Sequence, residues 1–278
     1  MVQYLNRYPM LKFLINGILV FTTLVFLIGL LVYFVQERLI FFPNKLPRDH
    51  QFSFGGSFEE VPVVTPDHTS LHAVLFKAGS NSRGVIFYLH GNAGAVDSWG
   101  ELAGFYNELG YDVFMPDYRG YGKSAGVIKT EKQFFEDAQA AYAVLKTRYS
   151  EDKIIILGYS IGTGTAAYLA STNRPRLLIL QAPYYTLGDL VKKLYPFLPS
   201  FLLKYKFRTA EYLKQTKAPV IIFHGDRDEV IYYGSSIKLK AHLKATDSLV
   251  TLKNQSHNGI TENRDYQLHM KRILSDAK

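Results

Sequence analysis

The chain has 278 residues, 47% of them hydrophobic, with 32 Lys and Arg against 24 Asp and Glu, a net charge of +8, and no cysteine. The missing cysteines exclude disulfides, zinc fingers and thiol nucleophiles. The basic excess is scattered and accompanies no helix-turn-helix, RNA-binding or zinc pattern, so nucleic acid is not an expected partner and attraction to anionic headgroups is the simpler account.

Phe13 to Val35 contains no charged residue. As a helix it spans roughly 34 Å, enough to cross a hydrocarbon core about 30 Å thick. A cleaved signal peptide would have a shorter apolar region ending in small residues, whereas Val35 leads into Gln36-Glu37-Arg38-Leu39. A core helix of this length would carry polar interruptions. The expectation is a tail and retained single-pass anchor over residues 1–38, with a soluble-type domain over 39–278. Arg7 and Lys12 precede the span while Arg38, Lys45 and Arg48 follow it, which leaves orientation open. The short N-terminal tail favours a domain outside the cytoplasm.

Phe58 to Val64 and Leu71 to Phe76 read as antiparallel strands joined by the turn Thr65-Pro66-Asp67-His68-Thr69. Strands then follow at Val85 to Leu89, Val113 to Met115, Ile154 to Leu157, Leu177 to Leu180, Val220 to Phe223 and Leu249 to Leu252. Helices are expected near Asp97 to Leu109, Glu131 to Arg148, Thr163 to Ala170, Ser235 to Leu243 and Asn263 to Ser275. Short apolar strands alternating with amphipathic helices predict an α/β fold, a mostly parallel sheet covered on both faces. Ligands in such folds bind beyond the carboxyl ends of the strands, where the chemically suggestive loops of this chain begin.

Gly158-Tyr159-Ser160-Ile161-Gly162 lies between the strand ending at Leu157 and the small-residue helix starting at Thr163. A serine at such a turn is lifted clear of the sheet, and the flanking glycines allow the close passage the turn requires. A serine hydroxyl needs a base and a group that orients the base. His257, in Asn254-Gln255-Ser256-His257-Asn258-Gly259 after the last strand, is the candidate base. Asp226 and Asp228, in His224-Gly225-Asp226-Arg227-Asp228, compete for the orienting role. The order Ser, Asp, His suits this architecture. His50, His68, His72, His242 and His269 read as solvated or turn residues, and His90 and His224 as loop braces. Oxyanion donors are expected from the N–H of Ile161 and from the loop His90-Gly91-Asn92-Ala93-Gly94, after which no Lys-Ser/Thr pair follows to make a nucleotide loop.

With Asp117-Tyr118-Arg119-Gly120-Tyr121-Gly122-Lys123-Ser124 added, these motifs resemble the α/β-hydrolase superfamily, and within it the membrane-anchored Bem46-like group that includes the ABHD17-type depalmitoylases. The resemblance covers about residues 36 to 270. It implies Ser160 as nucleophile, Asp228 as acid and His257 as base, with Asp226 a loop residue. It favours Asn92 over Ala93 as the first oxyanion donor, and makes Asp117, Arg119 and Gly120 a structural turn. No metal or organic cofactor is implied.

Residues 184–217 interrupt the strand–helix alternation and suggest a small cap, rich in aromatics, leucine and lysine, preceded by the juxtamembrane Leu39-Ile40-Phe41-Phe42-Pro43. The expectation is a membrane-anchored serine hydrolase that cleaves esters or thioesters of lipid-like or acylated substrates at the bilayer. A peptidase or amidase with the same triad and a non-catalytic scaffold are the alternatives.

Overall fold

Side chains that alternate along the central strands sort the core into two layers, one on each face of a single sheet. The computed structural model describes residues 9–275, so the tail with Arg7 lies outside the described residues. A long helix α1 (Pro9–Ile40) is followed by β1 (Phe42–Pro43), β2 (Ser57–Val64), β3 (Ser70–Lys77), β4 (Val85–Leu89), β5 (Ala93–Gly94), the short helices α2 (Val96–Trp99) and α3 (Ala103–Glu108), and β6 (Asp112–Pro116). Then come α4 (Glu131–Lys146), β7 (Ile154–Tyr159), α5 (Gly162–Thr172), β8 (Leu177–Gln181), α6 (Leu187–Leu194), α7 (Thr209–Gln215), β9 (Val220–Gly225), α8 (Gly234–Lys240), β10 (Ser248–Leu252) and α9 (Arg264–Ser275).

The main sheet has eight strands in the order β10-β9-β8-β7-β4-β6-β3-β2. Only β3 runs against its neighbours; the remaining pairings are parallel. Val85, Phe87 and Leu89 of β4, with Ile154 and Ile156 of β7, pack on the face covered by α4, α5 and α7. Ile86 and Tyr88, with Ile155 and Leu157, pack on the opposite face against Val96, Ala103, Tyr106 and α9. Strands buried on both faces explain why the sequence shows continuous apolar runs there rather than alternation.

All eight strands expected from the sequence are present, most a residue or two longer. The helix expected from Asp97 to Leu109 is broken by a 3-10 turn at Gly100–Leu102, where glycine weakens the helix. The cap is smaller than residues 184–217. Thr209, Ala210 and Leu213 of α7 are buried in the main core, so only the segment from Leu187 to about Leu203 stands apart as a cap. The pairing of β1 with β5 had no sequence signal, being two residues long on each side.

Helix α1 is long and apolar enough to cross a membrane, and its apolar residues are exposed. Its C-terminal end is built into the domain. Gln36 is buried, Glu37 pairs with Lys204 at 3.1 Å, and Phe41 sits in the core against Phe134 and Tyr205.

Candidate active site

Strand β7 delivers Ser160 at a turn so sharp that the residue has φ +52°, a left-handed conformation that costs a non-glycine residue about 1–2 kcal/mol. The turn is held by its own hydrogen bonds. Ser160 N–H donates to Gln181 O at 2.9 Å, and Thr163 donates to Ser160 O from its N–H at 3.0 Å and from its hydroxyl at 2.6 Å. The glycines supply the clearance expected of them: a Cβ at Gly158 would stand 2.6 Å from Ala166 Cβ, and one at Gly162 would press on the carbonyls of Leu89 and His90.

Strands β9 and β10, parallel to β7 with β8 between, bring the other two groups to the same carboxyl end of the sheet. His257 Nε2 lies 3.0 Å from Ser160 Oγ, and His257 Nδ1 lies 2.7 Å from Asp228 Oδ2. An ionised carboxylate only accepts, so Nδ1–H donates to Asp228 and the lone pair on Nε2 faces the serine hydroxyl. Tyr159 fixes the loop from below by donating its hydroxyl to His257 O at 2.5 Å. All three residues are buried.

The Asp228 loop contains a second imidazole. Burial alone would raise the Asp228 carboxyl, but hydrogen bonds from His224, His257 and the Ile231 N–H outweigh it and hold the group well below the usual carboxylate range. Its Oδ1 accepts from the N–H groups of Val230 at 2.9 Å and Ile231 at 2.7 Å. His224 Nε2 sits 3.2 Å from Asp228 Oδ2 and 2.8 Å from Ile231 O, so this nitrogen carries a proton while Nδ1 accepts from Ser236 Oγ at 2.6 Å. His224 therefore braces the acid itself, a partnership its place in the sequence does not reveal. Asp226 instead accepts from Asn254 N–H at 2.7 Å within the loop.

On the opposite side of the serine, no hydrogen bond among the described residues occupies the backbone N–H of Asn92 or Ile161. Tyr184 steadies the second peptide by donating to Ile161 O at 3.1 Å. The Asn92 side chain faces away toward the chain leaving α1: it donates to Ile40 O and accepts from Phe42 N–H at 3.3 Å and Tyr121 hydroxyl at 3.1 Å. His90 stays inside, donating from Nδ1 to Gly91 O at 2.7 Å.

Two other groups resolve as scaffold. Asp117 accepts from Val96 N–H at 2.8 Å, and Arg119 joins Asp137 at 2.6 Å to Asp67 at 2.9 Å, tying the β2–β3 turn to α4. His72 corrects the sequence reading of a solvated residue. It is buried between Glu60 at 2.8 Å and Asp117 at 3.4 Å, because β3 is an inner strand and both its faces are covered.

A cavity of about 530 Å³ surrounds Ser160 and His257, walled by Leu39 and Ile40 of α1 and by Leu187, Leu190 and Leu194 of α6. A larger one, about 610 Å³, lies beside Arg38 and Arg119 and is not lined by Ser160, Asp228 or His257.

A family model described as serine aminopeptidase, S33, matches residues 80–211. Uncharacterized protein Rv2307c of Mycobacterium tuberculosis is 30% identical over 246 residues, covering 87% of this chain and 85% of the relative. Human alpha/beta hydrolase domain-containing protein 17B is 29% identical over 208 residues, covering 73% of this chain and 70% of that protein. The chain is an α/β-hydrolase of the Bem46-like, ABHD17 type. A Pyrococcus furiosus esterase shares the hydrolase fold with a TM-score of 0.68 over 85% of this chain and 97% of its own, at 20% identity. This α/β-hydrolase therefore shares the overall fold of that esterase, with a long apolar helix preceding it.

Proposed function

We propose that the protein is a membrane-anchored serine hydrolase that cleaves esters or thioesters of acylated, lipid-like substrates. The observation that carries this reading is the hydrogen-bonded chain from Ser160 Oγ through His257 to Asp228, set in a cavity walled by leucines and by the end of the apolar helix α1.

In the reaction Ser160 Oγ attacks the acyl carbonyl while its proton passes to His257 Nε2. The oxyanion is held by the N–H groups of Ile161 and Asn92. The alcohol or thiol leaves with the proton from Nε2, and water, activated by the same nitrogen, releases the acid. Asp228 keeps the imidazole in the required tautomer and offsets its charge. Its low pKa, sustained by His224, keeps it ionised throughout.

The aminopeptidase description of the family model raises a second reading. Recognition of a substrate ammonium calls for a buried carboxylate in the cavity. Among the described residues lining the cavity there is no Asp or Glu, and the walls are apolar and aromatic, which favours an acyl chain.

Labelling of the full chain by a fluorophosphonate probe, abolished in Ser160→Ala, tests the nucleophile. Turnover of matched acyl esters, thioesters and aminoacyl amides tests the bond. A folded wild type that neither labels nor turns over any of the three would favour the scaffold alternative.

A further inference from the structure

The cap leans along the apolar helix rather than away from it. Leu202 Cδ1 lies 3.6 Å from where a Cβ at Gly29 would stand. About two turns toward the domain, Gln36 Nε2 donates to Leu202 O at 3.1 Å, and Gln36 Oε1 accepts from Lys204 N–H at 2.8 Å. Gly29, Val32, Val35 and Gln36, which share one side of the helix, are the covered positions from Gly29 to Gln36. Seven residues of helix measure roughly 10 Å. The cap therefore reaches that far down the charge-free part of α1 from the last polar anchor point.

The residues beyond that contact suit hydrocarbon. Phe197 is 97% exposed, Phe201 81% and Tyr195 63%, and Tyr195 to Leu202 contains no charged residue. The backbone there is already partly satisfied. Pro196 and Pro199 have no N–H, and those of Leu198, Leu202 and Leu203 donate to Tyr195 O, Pro199 O and Ser200 O within the same segment. Cations flank it at the level expected of headgroups: Lys192 and Lys193 are exposed, and Lys204 Nζ stands 4.7 Å over the Tyr33 ring while pairing with Glu37.

We propose that Tyr195–Leu202 is a membrane-inserted wedge that enters the same leaflet from which α1 emerges. The occupant of this exposed apolar patch is lipid, because the patch is continuous with the lipid-facing surface of α1. Leu39 and Ile40 on one side and Leu194 and Tyr195 on the other line the cavity that holds Ser160, so that cavity opens toward the leaflet and acyl chains enter it sideways from the bilayer. The inference rests on the reading of α1 as a membrane anchor and of the cavity as an acyl-ester site.

The absence of native cysteine allows a direct test. Full-length Phe197→Cys carrying an environment-sensitive nitrobenzoxadiazole dye is reconstituted in phosphatidylcholine vesicles containing phosphatidylglycerol. Lys153→Cys, exposed just before the amino-terminal end of β7 and so at the end of the sheet opposite Ser160, serves as the water-exposed reference. The expected result is blue-shifted emission at position 197 with quenching by doxyl groups on the lipid acyl chains, and neither at position 153. A dye at 197 that is quenched by aqueous iodide as readily as at 153, in protein that resists carbonate extraction, overturns the wedge and leaves the anchor standing.

A second arm reads function. Phe197→Asp combined with Phe201→Asp is expected to lower turnover of a long-chain acyl ester held in vesicles by about tenfold or more, the carboxylates being excluded from hydrocarbon. Turnover of a soluble short-chain ester stays unchanged. Equal loss on both substrates, or loss on neither, overturns the proposal. Insertion of the dye in labelled Phe197→Cys, with a wild type that hydrolyses neither substrate, refutes the hydrolase reading instead.

Discussion

Ile40, the last residue of the long apolar helix, accepts a hydrogen bond from the side chain of Asn92, whose backbone N–H is assigned to the oxyanion. One hydrogen bond thus links the end of the apolar helix to the proposed reacting centre. Asn92→Ala keeps the peptide N–H but frees its loop from Ile40, Phe42 and Tyr121. The expected outcome is a fall in kcat of about tenfold with little change in KM, less than the loss from deleting an oxyanion donor outright. Steady-state kinetics on a soluble ester measure it.

The left-handed backbone of Ser160 gives a second expectation. Ser160→Gly relieves the strain of φ +52° while removing the proposed nucleophile. The variant should be inactive and more stable than wild type by about 1 kcal/mol. Thermal unfolding in detergent, compared with Ser160→Ala as an equally inactive control that retains the strain, checks this.

Gly162 behaves in the opposite sense. A Cβ there would meet the carbonyls of Leu89 and His90, backbone atoms of an inner strand end that have no room to yield. Gly162→Ala should cost about 2–3 kcal/mol and displace the loop carrying Asn92. Chemical denaturation midpoints and loss of fluorophosphonate labelling report the two effects.

Asp228 supplies a pH-dependent expectation. Its folded pKa lies below the unfolded value of about 4, so its contribution to stability is present above that value and is lost as pH falls through the folded pKa. The stability gap between wild type and Asp228→Asn should be flat above about pH 5 and narrow at more acid pH. At neutral pH the same variant should lose roughly 10⁴-fold in kcat through the wrong imidazole tautomer. Denaturant titrations across pH, and kinetics at neutral pH, test both.

What could be read from the residues follows physical lines. The central strands were legible because both faces are buried and their runs are uninterrupted, and the Ser160 turn because its glycines stand where backbone must pass close to backbone. His257 was singled out by its loop and chain order. The brace from His224 to Asp228 was not legible, since i to i+4 spacing in a loop has no fixed geometry. His72 was misread because burial on an inner strand depends on what covers the sheet, here Phe52 and the Asp117 turn. The β1–β5 pairing and the tilt of the cap along α1 arise only when segments distant in sequence are brought together.

The boundary expected after residue 38 falls between Glu37, which pairs with Lys204, and Phe41, which is part of the core. No slack chain separates helix from domain. Cutting there would remove Gln36 and Glu37, whose contacts with Leu202 and Lys204 are part of the fold. These contacts tie Ser160 to the end of α1 through packed residues rather than through a tether. On the proposed reading of α1 as a membrane anchor and Ser160 as nucleophile, the height of the reacting serine above a bilayer is set by this join, and a substrate would be selected partly by how far from the lipid it carries the bond to be broken.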